Sequence, residues 1–280
     1  MDRTDPDIGS RCLGARSKLR EPARPGPSSM IALRSHLFNI AFYLNLIIWL
    51  AFASATFVMP RKAIIRVAQA WGRSSVWLLR VIIGTTVEFR GRERIPPGGL
   101  LLAAKHQSFL EAFALLSCVD DPTFILKREL QWIPVFGWLT IKAGMIPVHR
   151  GGPNALPDMT RRAASEVARG RQIIIFPEGT RRHPGAEPAY KFGVTHLYRS
   201  LYVPCLPVAL NSGLFWPRRD YLRRPGTIVI EFGDIIAPGL DGDVFKTTLT
   251  ERIERASNRL LNAPIAPLAA GDPVVARHRD

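Results

Sequence analysis

The chain has 280 residues, with 38 Lys and Arg against 23 Asp and Glu, a net charge of +15 at neutral pH, and 47% of its residues are hydrophobic. A disordered basic tail would lack that apolar content, and an ordinary soluble enzyme rarely carries such a positive surplus, so anionic partners and a partly lipid solvent are expected. Three cysteines, Cys12, Cys118 and Cys205, stand at no metal-ligand spacing, which argues against a disulfide framework and for a reducing compartment.

Residues 1–29 are rich in Arg, Pro, Gly and Ser without apolar period and are expected to be a disordered extension, with Met30 the expected true start. From Leu37 to Met59 the chain is uncharged and mostly apolar, about 35 Å long as a helix, enough to enter or cross a bilayer. Pro60 interrupts it, and Arg61 to Ile83 resumes with an amphipathic helical pattern in which Arg66, Arg73 and Arg80 recur every seven residues. A basic face opposite Trp71, Leu78 and Ile82 suits a helix lying on an anionic membrane. The same pattern also fits a helix packed on a core with its charges in water. Arg34 precedes the apolar run, and Arg61, Lys62 and Arg66 follow it. With both flanks basic, the positive-inside rule selects no side. A two-helix membrane anchor over residues 30–84, dipping into one leaflet, is therefore expected.

The remainder alternates short apolar runs with helical patterns, as in an α/β domain: a central mostly parallel or mixed sheet flanked by helices, over residues 85–262. Strands are predicted at Gly99–Ala104, Thr123–Leu126, Met145–Val148, Gln172–Phe176, Pro204–Leu210 and Thr227–Phe232, and helices at Glu111–Cys118, Pro157–Arg169 and Val244–Asn262. Residues 263–280 read as a loose tail.

Polar residues fall just after four of these apolar runs: His106, Lys127, Arg150, and Glu178 to Arg182. Ligands of α/β sheets bind at the carboxyl ends of strands, so the four runs point to one shared site. His106 and Glu111 would meet if His106 lies in a loop and the helix begins near Ser108. The carboxylate would then fix the imidazole tautomer and leave the other ring nitrogen free to take a proton from a hydroxyl. Ser108-x-x-Glu111 is equally a capping box, in which Glu111 only closes the helix N-terminus. Both readings stay open. In Phe176-Pro-Glu-Gly-Thr-Arg-Arg182, Gly179 permits a tight turn and Arg181 can fork onto phosphate oxygens, with Lys127, Arg150 and Lys191 adding charge to the same pocket. The six His residues form no HExxH or comparable cluster, so no metal site is expected.

These blocks resemble the 1-acylglycerol-3-phosphate acyltransferase family of glycerolipid acyltransferases. His106 with Glu111 matches the family's His-x4-Asp, and Gly144 to Arg150 its Gly…Arg segment. Phe176 to Arg181 match its Phe-Pro-Glu-Gly-Thr-Arg in full, and Val203-Pro-Cys-Leu-Pro-Val208 its apolar Val-Pro-x-x-Pro-Val. Glu111 stands for the usual Asp and Lys105 for the Asn common before the His. The resemblance implies that His106, oriented by Glu111, deprotonates an acceptor hydroxyl that attacks an acyl thioester. It places Arg150, Glu178, Gly179 and Arg181 at the acceptor phosphate, where Thr180, Lys127 and Lys191 are also expected, and a two-helix anchor at the N-terminus.

The expected reaction acylates the sn-2 hydroxyl of 1-acylglycerol 3-phosphate, giving phosphatidic acid. Acyl-coenzyme A or acyl carrier protein is the co-substrate, there is no cofactor, and anionic lipids are partners. Lyso-ornithine lipid or glycerol 3-phosphate are alternative acceptors, and a non-catalytic anionic-lipid-binding membrane protein is a reading of another class. Nucleic-acid binding has only the charge in its favour, without any recognition signature. Thioester donors are cytosolic, so the catalytic domain is expected on the cytoplasmic face of the inner membrane.

Overall fold

The computed structural model describes residues 29–149, 152 and 154–263. The segments read as a loose extension and tail, apart from their innermost residues, lie outside it, as does Arg150. The chain starts with helix α1 (Ser29–Ala55), followed after a short turn by α2 (Arg61–Leu78), which ends in a π-helical turn over Leu79–Ile83. The two helices run antiparallel. Asn45, a polar interruption in the apolar run, is satisfied across the pair: its Nδ2 donates to Ser74 Oγ (2.9 Å) and Ser75 Oγ (3.1 Å). A buried amide without such partners would cost free energy.

Among the described residues only one segment, Ser29–Val58, is long and apolar enough to cross a membrane. This corrects the expected two-helix anchor. The apolar side of α2 faces protein: Ile64 and Ile65 are buried, and Trp71 and Leu78 pack on the core. At Gly72 the helix backbone comes so close to α3 (Leu110–Cys118) that a Cβ would sit 2.5 Å from the Phe113 carbonyl oxygen. Arg66 and Arg73 lie on the exposed side. An amphipathic pattern has the same period whether its apolar face meets lipid or protein, so sequence alone did not separate them. Nor is Arg61 left for lipid, since its guanidinium forks onto Asp121 at 2.6 and 2.7 Å. By contrast α1 exposes a stripe of Leu33, Leu37, Ile40, Leu44, Ile47 and Ile48, spaced three or four apart as one helix face requires.

The sheet contains β1 (Thr85–Arg90), β2 (Leu100–Ala104), β3 (Pro122–Lys127), β4 (Ile146–Val148), β5 (Gln172–Ile175), β6 (Cys205–Leu210) and β7 (Gly226–Phe232). Their order is β1-β7-β6-β2-β5-β3-β4, and every pairing is parallel except β6 with β7. The six predicted strands lie within two residues of their expected bounds. β1 was missed: its Thr, Glu and Arg residues belong to an edge strand with one half-solvated face. Helices α5 (Ala155–Ala168) and α7 (Gly242–Asn262) match expectation, whereas α4 (Phe136–Lys142) and α6 (Phe192–Leu201) were not foreseen. α4 is short and follows Val135, held at φ +64°. Along β2 the side chains alternate between two cores. Leu100, Leu102 and Ala104 join the α1–α3 side, and Leu101 and Ala103 the side of α5, α6 and α7, as the strand period of two dictates.

A buried cation braces this frame. Arg171, with no solvent exposure, donates to Glu166 Oε2 (2.6 Å), Asp121 Oδ1 (3.0 Å) and the carbonyls of Pro122, Ala143 and Gly144. Asp121 thus joins Arg171 to Arg61 and so ties α2 to the sheet. Burial pushes the Asp121 carboxyl up, but the two guanidiniums outweigh it and hold it below the usual carboxylate range. Replacing Arg171 with Met is expected to cost about 3–5 kcal/mol in denaturant unfolding, because two carboxylates lose their buried partner. A depressed native pKa stabilises above the unfolded value of about 3.9 and is lost as pH falls through the native one. Melting temperature followed against pH should therefore fall less steeply below pH 4 in Asp121→Asn than in the wild type.

Candidate active site

Because β2 to β6 run parallel, their carboxyl ends lie on one side, where His106, Lys127, Glu178 and Ser212 follow them. His106 sits in the loop between β2 and α3, and Glu111 in the first helical turn. Glu111 is fully buried; its Oε1 accepts from the backbone N–H of Gln107 (3.1 Å) and Ser108 (2.8 Å), and from the Ser212 hydroxyl. The capping role is therefore real, and it does not exclude the other one. His106 Nδ1 lies 3.6 Å from Glu111 Oε2 and is buried without another partner. That gap exceeds a hydrogen bond, but hydrogen bonds of this kind commonly tighten only when substrate binds. The ring stacks on Phe176 at 3.9 Å, and the Arg182 N–H donates to the His106 carbonyl (2.8 Å). Nδ1 is buried, but the side chain as a whole keeps 17% exposure, so part of the ring reaches the surface of the site. Gln107 completes the loop by accepting from the Gly213 N–H (3.0 Å).

Lys105, at the end of β2, is almost wholly buried; its Nζ donates to Glu178 Oε1 (2.9 Å) and Glu254 Oε1 (2.6 Å). Glu254 belongs to α7 and also accepts from Tyr190 Oη (3.0 Å). Burial, reinforced by the Glu254 charge, pushes the Tyr190 phenol well above its usual range, so it stays a donor. Glu178 is thus held by Lys105 rather than by an arginine. The lysine that departs from the usual Asn binds three segments together: the β2 end, the turn after β5, and α7.

That turn runs from Phe176 to Arg182. Gly179 holds φ +66° and donates its N–H to the Phe176 carbonyl (2.9 Å), a conformation that glycine adopts without steric cost. Thr180 is exposed, Arg181 half-buried, and the Arg181 guanidinium has no partner among the described residues. Lys191 is exposed at the start of α6, and its N–H donates to the Pro177 carbonyl (2.9 Å). Lys127 is exposed and paired with Glu129 (3.1 Å); β5 separates its strand from β2. So His106, Glu111 and Glu178 to Arg181 form one locus, and Lys127 stands apart.

Sequence reasoning passed over Ser212, Lys105 with Glu254, and Arg218, whose Nη1 donates to the Arg181 carbonyl (2.8 Å). Signals existed for two of them. Asn211-Ser212 follows the fifth apolar run just as the other polar groups follow theirs, and Lys105 directly extends a buried apolar strand, where an ammonium needs a carboxylate. A separate cleft of about 830 Å³ beside β4 and α5, lined by Arg128, His149 and Arg162, holds none of the residues around His106. Among the described residues, no group of three His, Cys, Asp or Glu is placed to hold a metal ion.

A family model described as Acyltransferase matches residues 86–211. The chain is 33% identical to the 1-acyl-sn-glycerol-3-phosphate acyltransferase of Pseudomonas aeruginosa, over 86% of this chain and 95% of that protein. It is 29% identical to the 1-acyl-sn-glycerol-3-phosphate acyltransferase alpha of Mus musculus, over 63% of each. Its fold is similar to the crystal structure of the 1-acyl-sn-glycerophosphate (LPA) acyltransferase of Thermotoga maritima, with a TM-score of 0.71 at 23% identity, covering 83% of this chain and 98% of that one. With a relative a third identical along nearly its whole length, the chain belongs to the 1-acyl-sn-glycerol-3-phosphate acyltransferase family.

Proposed function

We propose that the protein transfers a fatty acyl group from an acyl thioester to the sn-2 hydroxyl of 1-acylglycerol 3-phosphate, giving phosphatidic acid for phospholipid synthesis. The observation that carries this reading is a histidine backed by a fully buried carboxylate beside a turn whose guanidinium has no internal partner. In the reaction, His106 Nε2 takes the hydroxyl proton as the oxygen attacks the thioester carbonyl. The tetrahedral intermediate then expels the thiolate, which recovers the proton from the imidazolium. One C–O bond forms, one C–S bond breaks, and no cofactor enters. Glu111 stabilises the transient imidazolium by charge and by orienting Nδ1. The acceptor phosphate is received by Arg181 and the backbone of Gly179 and Thr180, with Arg150 and Lys191 adding positive field, whereas Lys127, paired with Glu129, takes no part. Glu178 acts by holding Lys105 in place.

Acyl-coenzyme A or acyl carrier protein supplies the acyl group. We place the enzyme on the inner membrane with its catalytic domain toward the cytoplasm, where thioester donors are made. The exposed stripe on α1 is the part that enters lipid, with Arg66 and Arg73 toward anionic headgroups. A purely lipid-binding protein would use the buried carboxylate as a helix cap but would leave the histidine facing it without a task.

The purified protein is expected to form phosphatidic acid from 1-acylglycerol 3-phosphate at rates well above those with lyso-ornithine lipid or glycerol 3-phosphate, using either thioester donor. No transfer to 1-acylglycerol 3-phosphate from either donor would refute the reading. In Glu111→Gln the amide oxygen can still accept from Ser108 N–H, so the fold should persist while kcat drops roughly 10²-fold; calorimetry and steady-state kinetics on one preparation measure both. Ile40→Glu with Ile47→Glu should abolish co-sedimentation with anionic vesicles without lowering the melting temperature, since both side chains are about 60% exposed.

A further inference from the structure

The loop between β6 and β7 carries four arginines, Arg218, Arg219, Arg223 and Arg224, outside the stretch that the family model covers. Three are accounted for locally. Arg223 lies 4.4 Å over the Trp216 ring and donates to the carbonyls of Asp220 and Leu222. Arg224 faces Asp220 at 3.8 Å, and Arg219 is exposed at φ +61°. Arg218 alone turns toward the active site, where it is half-buried and donates to the Arg181 carbonyl.

Two features single it out. First, Arg218 reaches the backbone of the turn that carries Arg181 and Arg182, and among the described residues no carboxylate partners any of the three. Arg182 spends one nitrogen on the Glu187 carbonyl and leaves its Nε buried and unpaired, while Glu178 gives Oε1 to Lys105 and its Oε2 is buried without a hydrogen-bond partner, so that it bonds none of the three arginines. Like charges brought together in a partly desolvated turn repel unless an anion joins them. Second, the loop that delivers Arg218 is fastened. Ser35 of α1 bonds both the N–H (2.9 Å) and the carbonyl (3.3 Å) of Arg223, Asn39 donates to the Tyr221 carbonyl (3.2 Å), and His36 stacks on Tyr221. A non-glycine residue at positive φ persists only where surrounding contacts impose it, and Arg219 follows Arg218 directly.

We infer that Arg218 is a further binding residue for the acceptor's phosphate, supplied from outside the family's sequence blocks and aimed by a loop that α1 clamps. A phosphate dianion on the exposed side of the turn would take bidentate contacts from Arg181 and Arg218. The inference rests on the acceptor proposed above. It also gives α1 a second task, since the helix that meets lipid holds the loop that reads the headgroup.

Arg218→Gln separates this role from simple loop fastening, because Gln still donates to the Arg181 carbonyl but carries no charge. We expect the KM for 1-acylglycerol 3-phosphate to rise at least 10-fold, with the KM for acyl-coenzyme A and the melting temperature unchanged, and Arg218→Lys, which keeps the charge but not the fork, to recover only part of the loss. Independently of turnover, glycerol 3-phosphate should raise the melting temperature of the wild type and of Arg218→Lys, and raise that of Arg218→Gln much less. Wild-type acceptor KM and an undiminished shift in Arg218→Gln would overturn the inference. If the wild type acylated no 1-acylglycerol 3-phosphate, the proposed reaction would fall, while the glycerol 3-phosphate shift would still decide phosphate binding by Arg218.

Discussion

The site is organised around one carboxylate that water does not reach. Glu111 has to find donors inside the protein, because an ionised group left unpaired there is costly. It takes two backbone N–H groups from the loop before α3 and a hydroxyl from the end of β6. Meeting those demands sets the path of the loop, starts α3, and pins β6 to β2 across their carboxyl ends. The second oxygen, Oε2, shares the Ser108 N–H (3.0 Å) and is turned to His106 Nδ1. A group that would be a helix cap in any protein thereby also faces an imidazole, the arrangement on which the proposed base depends.

A second buried charge system holds the turn after β5 against that loop. Lys105 faces two carboxylates, one from the turn after β5 and one from α7, so the last helix of the described chain takes part in the geometry at His106. The Arg182 N–H to the His106 carbonyl adds a direct tie. Breaking such an arrangement strands like charges, and that penalty makes it an effective latch. The arginines outside the latch remain uncompensated, and on this account the substrate completes them.

The sheet was legible because each buried parallel strand reads as a short apolar run, and because chemistry-bearing residues follow the runs directly. His106, Glu111 and the turn at Gly179 could be singled out for that reason. What sequence could not decide was the environment of a shared pattern. α2 has the period of a membrane-surface helix, yet Ile64, Ile65 and Gly72 pack on protein, and Arg61, flanking a lipid-like stretch, belongs to Asp121. Contacts across large sequence separations, such as Lys105 with Glu254 or Ser35 with Arg223, leave no periodic trace. β1 was hidden for another reason, since an edge strand with a solvated face tolerates the Thr, Glu and Arg that disguise it.

The central claim is that His106 is the base of an acyl transfer, and the most direct measurement is the transfer rate of His106→Ala with 1-acylglycerol 3-phosphate and acyl-coenzyme A both saturating. Loss of the general base predicts a rate at least ~10²-fold below wild type, with the melting temperature and acceptor binding kept. A His106→Ala protein that transferred acyl groups at the wild-type rate would contradict the account.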